Sequence, residues 1–194
     1  EADRIFYKMK VLVTGSSGFV GARLVCLLEN KGYEVKTLSR KVDLRSGSVV
    51  CDLELDEIPE KSLSGVDVVF HLAGFTHDLR DESKILNLYQ KLNIGASIKL
   101  ANFAVKSKVR KFIFISSVKA GGSPLSEHCA CESDQIDPEG IYGKSKREAE
   151  LKLLKIGKKS GMHISIIRPS LVYGPNVKGN LQLMLLGIKK GWFP

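Results

Sequence analysis

A glycine-rich turn between an apolar strand and a helix is the feature that most constrains the fold of this chain. The apolar run Lys10–Thr14 ends at the segment GSSGFVG, residues 15–21, and apolar residues at helical spacing follow it. In this setting the glycines allow a tight turn, close approach of the backbone to a pyrophosphate, and close packing of the helix on the strand. The free N–H groups of the helix also favour phosphates. The turn therefore predicts dinucleotide binding, with a plain glycine-rich turn as the alternative; the predicted contacts are Gly15, Ser17, Gly18, Phe19 and Val20.

Short apolar runs alternate with helical patterns along the rest of the chain. Further strands are predicted at 34–38, 49–51, 66–72, 112–116 and 163–167, and helices chiefly at 83–106 and 143–158. Strands that are apolar throughout and alternate with helices predict a parallel sheet covered on both faces. The predicted class is therefore α/β, a doubly wound Rossmann-type sheet with strand order 3-2-1-4-5-6. Residues 121–140, rich in Gly, Pro, Ser and acids, predict a long surface loop.

The net charge of +9 lies entirely in residues 101–194. A basic half fits nucleic acid or an anionic small ligand. The lysines are scattered at helical spacing without interleaved aromatic residues, a pattern typical of a solvated helix face. We therefore expect an anionic small molecule as the ligand and no nucleic-acid partner.

Composition also limits the setting of the protein. With 43% hydrophobic residues among 194, the chain can bury one substantial core. No apolar run approaches the ~20 residues of a membrane span, and the charged start does not resemble a secretory signal, so we expect a cytoplasmic location without membrane contact. Residues 1–8 precede the first strand and are interpreted as a leader or a cloning remnant. The four cysteines show no metal-ligand spacing, which predicts reduced thiols and no metal.

The end of the second predicted strand bears on the choice of cofactor. A carboxylate there binds the ribose hydroxyls of NAD, whereas an arginine accommodates the 2′-phosphate of NADP. The chain reads Leu38-Ser39-Arg40-Lys41, without an acid. NAD and NADP both remain candidates, and Ser39 and Arg40 favour NADP. The alternative is that Arg40 and Lys41 are ordinary exposed turn cations.

Tyr142 and Lys146 are four residues apart in a predicted helix and so share one of its faces. A lysine ammonium near a phenol favours the phenolate, so we expect the pKa of Tyr142 to be lowered towards working pH, where the residue can act as an acid or base. An isolated YxxxK pair is common in helices. Whether this pair takes part in chemistry depends on the dinucleotide site predicted earlier in the chain.

Taken in order, the motifs resemble the extended short-chain dehydrogenase/reductase family, within it the nucleotide-sugar epimerases and dehydratases. The resemblance covers residues 9–194. It is carried by TGSSGFVG at 14–21, Asp52-Leu53, HLAG at 71–74, Asn93, SSV at 116–118, YGKSK at 142–146 and IRPSLVYGP at 166–175. The segment SSVKAGG at 116–122 looks most like the corresponding segment of bacterial UDP-hexose 4-epimerases and 4-keto-sugar reductases.

The resemblance implies roles for individual residues. Ser117 would hydrogen-bond the reacting sugar oxygen, Tyr142 would move the proton, and Lys146 would hold the nicotinamide ribose. Further cofactor contacts would be Asp52, Leu53, Leu72, Ala73, Gly74, Asn93 and Pro169, and further substrate contacts Lys119 and Asn180. Purely structural roles are the alternatives. Asp52 could cap the next element, and Asn93 could be a buried amide with all its hydrogen bonds satisfied. Ser116 or Ser117 could be a strand-end hydroxyl bonded to the backbone.

The resemblance also implies an activity. The expected enzyme is a UDP-hexose 4-epimerase that works through NAD(P)-dependent transient oxidation at C4. The alternatives are an NAD(P)H-dependent UDP-4-keto-sugar reductase of surface polysaccharide synthesis and a truncated, non-catalytic dinucleotide-binding module. Residues 9–175 would form the NAD(P)-binding domain, and 176–194 would begin a truncated substrate lobe. Two long helices would provide apolar surface for a possible homodimer through Ile98, Leu100, Ala101, Ala104, Leu151, Leu153 and Leu154.

Overall fold

The sheet has the predicted topology. The computed structural model describes residues 8–42, 45, 47–75, 86–123, 129–132, 134, 136–175, 177 and 180–192. Six strands are joined in the order β3-β2-β1-β4-β5-β6, and every neighbouring pair is parallel. The doubly wound α/β class and the strand order predicted from sequence are thereby confirmed. The strand order reverses direction between β1 and β4, which is where such sheets open a crevice for ligands.

The strands lie close to their predicted positions. Their bounds are β1 Lys10–Thr14, β2 Glu34–Ser39, β3 Ser48–Val50, β4 Val68–His71, β5 Lys111–Ile115 and β6 His163–Ile167. The fourth is shorter than predicted because Val66 and Asp67 precede the ladder, where Asp67 Oδ2 accepts a hydrogen bond from Lys10 N at 2.9 Å. The apolar run alone does not reveal where the ladder begins.

The α-helices with described bounds are α1 Phe19–Asn30, α2 Ala96–Lys106, α3 Gly140–Ser160 and α4 Asn180–Lys189. A π-helical stretch, Tyr89–Gly95, leads directly into α2. Such a stretch is not visible in the sequence pattern, and π-helical turns are frequent at functional sites. Of the helix predicted at 83–106, the first residues lie outside the described ranges, as do parts of the predicted loop at 121–140.

Two hydrophobic clusters cover the two faces of the sheet. On β1, Leu12 packs into the larger cluster with residues of α2 and α3, whereas Val11 and Val13 pack into the smaller one beneath α1. Successive residues of a strand point to opposite faces, so one apolar run supplies both layers. Among the described residues, no helix has the length and apolar character needed to cross a bilayer.

Candidate active site

The glycine turn between β1 and α1 is shaped by three close approaches. Gly15 has φ +69°, and a Cβ there would lie 2.8 Å from Ala73 N at the end of β4. A Cβ on Gly21 would lie 2.1 Å from Gly15 O, and one on Gly18 would lie 3.1 Å from the same oxygen. Side chains are therefore excluded at these three positions, and the backbone at the start of α1 is left open to a ligand. This cradle fits a pyrophosphate at a helix N-terminus.

A cleft of about 490 Å³ runs from this turn along the carboxyl ends of the strands, at the β1/β4 switch point. Fifteen of the sixteen residues predicted to bind cofactor line it; they are Gly15, Ser17, Gly18, Phe19, Val20, Ser39, Arg40, Asp52, Leu53, Leu72, Ala73, Gly74, Tyr142, Lys146 and Pro169. The sixteenth, Asn93, is fully buried behind the wall. The chain thus gathers its predicted cofactor contacts into one cavity, large enough for a ligand.

Side chains at the β2 and β3 end of the cleft have partners within the protein. Ser39 Oγ donates to Lys41 O at 2.6 Å. Asp52 Oδ1 accepts from Glu54 N at 2.9 Å, so Asp52 caps the turn that follows β3 while also lining the cleft. Arg40 is exposed at the cleft edge, and no carboxylate stands between Leu38 and Val42. This end of the cleft therefore carries a positive side chain where a ribose or its phosphate would lie.

Tyr142, near the start of α3, faces Ser117 at the end of β5. The two side chains are hydrogen-bonded, and Tyr142 lies against the ring of Tyr89 with centroids 5.9 Å apart. Burial raises the pKa of Tyr142, the hydrogen bond with Ser117 lowers it, and Tyr89 raises it further. The net direction is upward, so the expectation that Lys146 lowers this pKa is wrong for the ligand-free protein. The reason is that Lys146 is turned towards other partners.

Lys146 lies in the wall of the cleft and is only 3% exposed. Its Nζ donates to Ile115 O at 2.9 Å and lies 4.5 Å from the centroid of the Phe114 ring. Burial lowers the pKa of Lys146 to about 8, while the nearby Glu150 carboxylate raises it. A Cβ on Gly74 would lie 3.4 Å from this Nζ, which shows how closely the ammonium approaches the cleft floor.

A chain of hydrogen bonds crosses the site beneath the cleft. Asn93 Oδ1 accepts from Phe75 N at 2.7 Å, and its Nδ2 donates to Phe75 O and to Ser145 Oγ, each at 3.1 Å. Ser145 Oγ in turn donates to Tyr142 O at 2.7 Å. Asn93 is therefore a satisfied buried amide that joins the segment after β4 to α3. It braces the cleft without lining it.

His71 extends this chain to β1. Ser97 Oγ donates to Asn93 O at 2.8 Å, so its lone pair accepts from His71 Nε2 at 2.9 Å. With the proton on Nε2, His71 Nδ1 accepts from Thr14 Oγ1 at 2.7 Å. Thr14 Oγ1 in turn accepts from Ala73 N. Burial, and secondly the charge of Lys146, lower the pKa of His71 to about 3. The imidazole is a neutral structural link between the two strands at the switch point.

The predicted substrate contacts, unlike the predicted cofactor contacts, do not lie together in the cleft. Ser117 is half-buried, caps a short helical turn by accepting from Lys119 N at 3.3 Å, and reaches the cleft through Tyr142. Lys119 is exposed outside the cleft, and Asn180 begins α4, where its side chain lies outside the described atoms. Among the described residues, no group of His, Cys, Asp and Glu is arranged to hold a metal ion.

Sequence reasoning missed the polar cluster that lies beside the Lys146 wall of the cleft. Glu150 is 1% exposed and accepts from Ser116 Oγ at 2.5 Å and from Arg168 Nε at 2.9 Å and Nη2 at 2.6 Å. The available signal was a carboxylate four residues after Lys146, on the same helix face. Its partners come from β5 and from the segment after β6, and only the fold brings those together.

The fold and the cleft define a dinucleotide-binding α/β protein whose cofactor crevice adjoins a Ser-Tyr-Lys constellation. The chain belongs to the NAD dependent epimerase/dehydratase family, with the match covering residues 11–191. This confirms the resemblance seen in its motifs.

Two of the similar curated proteins are named 4-epimerases. The chain is 38% identical over 187 residues to a UDP-glucose 4-epimerase of Vibrio cholerae, covering 93% of this chain and 57% of that protein. It is 31% identical over 189 residues to an N-acetyl-alpha-D-glucosaminyl-diphospho-ditrans,octacis-undecaprenol 4-epimerase of Escherichia coli O157:H7, covering 94% of this chain and 55% of that protein. The chain thus spans little more than half the length of these relatives.

A solved structure shows the same fold around bound ligands. UDP-glucuronic acid 4-epimerase from Bacillus cereus, in complex with UDP-glucuronic acid and NAD, superposes with a TM-score of 0.80 at 27% identity. The superposition covers 92% of this chain and 63% of that one. NAD is the cofactor in this similar structure; the NADP preference predicted from Ser39 and Arg40 has no counterpart there.

Proposed function

We propose that the chain forms the cofactor-binding and catalytic half of an NAD-dependent nucleotide-sugar 4-epimerase, with a UDP-hexose as substrate. The activities of the similar proteins support this reaction class, as does the family. The proposal extends to this chain what those proteins do, since the chain spans only part of their length.

The observation that carries the proposal is the meeting of Tyr142 and Ser117 at the wall that also holds Lys146. The phenol is hydrogen-bonded to the Ser117 hydroxyl, and both Tyr142 and Lys146 line the cleft that begins at the glycine turn. A phenol and an alcohol in contact can share the proton of a sugar hydroxyl, and a buried ammonium nearby can hold a ribose. Cofactor and sugar would therefore meet at Tyr142.

The chain's residues have distinct tasks in this mechanism. The chemistry that NAD would supply at this site is reversible acceptance of a hydride from the sugar C4, and return of the hydride to the opposite face of the ring would invert that carbon. Ser117 would donate a hydrogen bond to the C4 oxygen. Tyr142 would take the proton from that oxygen in its phenolate form, which the positive charge of the oxidised nicotinamide would favour, and would later give the proton back. Lys146 would bind the ribose hydroxyls with its ammonium, and the glycine turn would bind the pyrophosphate.

A second candidate is a UDP-4-keto-sugar reductase that consumes NAD(P)H. Arg40 favours it, because a cation at the end of β2 suits the 2′-phosphate of NADP, the usual reductive cofactor. The proposed contacts of Arg40 and Ser39 are the same for either reaction. The two candidates differ in whether the hydride returns to the sugar it came from.

One assay separates the two reactions. The complete native reading frame is expressed and incubated with UDP-glucose or UDP-N-acetylglucosamine and NAD, while absorbance of the reduced cofactor and sugar configuration are followed together. The epimerase predicts inversion at C4 with no net change in reduced cofactor. In a parallel incubation with a UDP-4-keto-hexose and NADPH, stoichiometric consumption of NADPH would establish the reductase instead. Cofactor binding without either reaction would favour the non-catalytic module.

The possible homodimer rests on less surface than the sequence indicated. Of the helix residues predicted to supply it, Leu100, Ala101, Ala104 and Leu153 are fully buried in the monomer core. Leu151 and Leu154 on α3 are 55% and 46% exposed and remain available to a second copy. We therefore propose α3 as the helix through which a dimer would form.

A further inference from the structure

A buried ion cluster lies one helical turn beyond Lys146. The Glu150 carboxylate has two fixed hydrogen bonds from Arg168, one from Ser116 and a 3.4 Å contact with Arg147 Nη1. A carboxylate this deeply buried is costly unless its charge is paired and its lone pairs are occupied. Here both conditions are met, so Glu150 is held in one place as a fixed negative charge.

Three residues on one face of α3 each contact one of three consecutive residues at the end of β5. They are spaced four apart, as neighbours on a helix face are. The pairs are Tyr142 with Ser117, Lys146 with Ile115 and Glu150 with Ser116. The third contact fixes the residue directly before Ser117, and thereby the position from which Ser117 meets the phenol.

Glu150 also acts electrostatically on Lys146. The ammonium is buried, its described hydrogen bond goes to the uncharged Ile115 carbonyl, and burial is the main reason that its pKa falls to about 8. The Glu150 carboxylate opposes this fall. Without that negative charge, the same burial would lower the pKa of Lys146 further and raise the fraction of neutral amine.

We propose that Glu150 is a positioning residue of the catalytic site, which holds Ser116 and Ser117 in register with Tyr142 and supplies the counter-charge that keeps Lys146 protonated. This role rests on the proposed use of Tyr142 and Lys146 in catalysis. Arg168, which follows β6, anchors the carboxylate from the opposite side and so ties the last strand to the site.

The other groups facing Lys146 do not duplicate this charge. On α3, Tyr142 is a protonated phenol at neutral pH, because burial raises its pKa. On β4, His71 is neutral, because burial holds its pKa near 3. Arg168 and Arg147 are cations that pair with Glu150. Among the described groups around Lys146, the anion is Glu150.

The test is a titration of Lys146 in the ligand-free chain. The ¹³Cε resonance of Lys146, assigned by its loss in Lys146→Arg, is followed from pH 6 to 11 in the native protein and in Glu150→Gln. Glutamine keeps the size of the side chain and removes its charge, so the Lys146 pKa should fall by about one unit. A purely structural role predicts the opposite, because a loosened site admits water and raises this pKa towards 10.5. An unchanged or raised value overturns the proposal.

Glu148→Gln is the matched control. It removes the same charge from the same helix, but Glu148 is 51% exposed and pairs with Lys152 at 2.8 Å. The Lys146 pKa should stay at its native value there, and an equal fall in both variants would contradict a specific role for Glu150. Because no cofactor or sugar is present, this outcome is independent of whether the proposed epimerase activity is found.

Glu150→Gln leaves Arg168 without its carboxylate and could prevent folding. In that case Glu150→Gln is combined with Arg168→Gln in a double variant, in which both members of the Glu150–Arg168 pair are neutral. The Lys146 pKa should be lower in the double variant than in Arg168→Gln alone. Equal Lys146 pKa values in those two proteins would overturn the proposal, as would an unchanged Lys146 pKa in Glu150→Gln alone.

Discussion

Tyr142 is the residue at which binding and chemistry can be separated. Tyr142→Phe removes the phenolic hydroxyl while keeping the ring that packs on Tyr89. We expect turnover in the epimerase assay to fall by about 10²–10⁴-fold, the usual contribution of a positioned acid or base. NAD affinity, measured by calorimetry, should be unchanged, because the pyrophosphate cradle lies at the other end of the cleft.

The control for this change is Tyr173→Phe, since Tyr173 is 79% exposed. It should retain native turnover. If Tyr142→Phe also retains native turnover, Tyr142 is not the proton-transfer group, and the hydroxyl of Ser117 becomes the next residue to test.

We expect the charge of Arg40 to influence the choice between NAD and NADP. Arg40→Asp places a carboxylate at the end of β2, where it can accept from the ribose hydroxyls of NAD and repel a 2′-phosphate. The ratio of NAD to NADP affinity, measured by calorimetry, should rise by about tenfold or more, equivalent to ~1.4 kcal/mol. Lys41→Asp is the control, because Lys41 is exposed and does not line the cleft. An equal change in both variants would point to general charge and not to a specific contact.

At the scale of elements, the junction of β1 and α1 depends on Gly21. Its absent Cβ allows α1 to pack directly on the Gly15 carbonyl, and Gly21→Ala would place a carbon 2.1 Å from that oxygen. We expect the free energy of unfolding to fall by about 1–3 kcal/mol, as in other overpacked sites, and NAD affinity to fall with the displaced turn. Urea denaturation and calorimetry measure the two effects.

Gly95→Ala provides the comparison for that substitution. Gly95 has a helical φ of −57°, and a Cβ there would meet Gln90 O at an ordinary 3.6 Å. The same added methyl group should therefore leave stability unchanged or raise it by up to ~1 kcal/mol. Equal losses in both variants would show that the Gly21 contact is not what limits the turn.

The His71 link between β1, β4 and α2 makes the fold sensitive to acid. The pKa of His71 is about 3 in the folded protein against 6.5 ordinarily, so below pH 6.5 the unfolded chain binds a proton that the folded chain does not. The stability contributed above pH 6.5 is therefore lost as pH falls towards 3, by about 2 kcal/mol at pH 5. In His71→Gln, the loss of unfolding free energy between pH 7 and pH 5 should be smaller by that amount.

This comparison uses the difference between two pH values, which cancels any general destabilisation by the substitution. His163→Gln is the control, because His163 is exposed at the start of β6. It should keep the native dependence on pH. A native dependence in His71→Gln would mean that other groups cause the acid sensitivity.

At the scale of the whole molecule, the sequence predicted those features that depend on neighbouring residues. The strand order follows from the alternation of apolar strands with helices. The glycine turn and the fifteen of sixteen proposed cofactor contacts that line the cleft belong to short motifs at the ends of strands. Parallel strands place their carboxyl ends along one edge, so residues named separately in the sequence come together there without further information. The domain limits at 175 and 176 and the site roles remain predictions.

Features that depend on distant contacts could not be read from the sequence. The direction of the Tyr142 pKa depends on how deeply α3 buries the phenol and on where Lys146 points. The Glu150 cluster joins α3 to β5 and to the segment after β6, and its partners Ser116 and Arg168 lie 34 and 18 residues away in the sequence, without a recognisable spacing. The π-helical stretch that places Asn93 beneath the cleft likewise reflects packing and not local propensity.

The distribution of the proposed contacts leads to a prediction for the chain of 194 residues itself. The cleft contains the proposed cofactor contacts, whereas Lys119 lies outside it and Ser117 reaches it only through Tyr142. NAD at 100 times its dissociation constant should therefore stabilise the chain by about 2.7 kcal/mol, a rise in melting temperature of roughly 5–10 °C. UDP at the same concentration should produce a much smaller rise, since this cleft is the dinucleotide's. A rise with UDP equal to that with NAD would place the nucleotide of the sugar in this cleft and contradict the assignment.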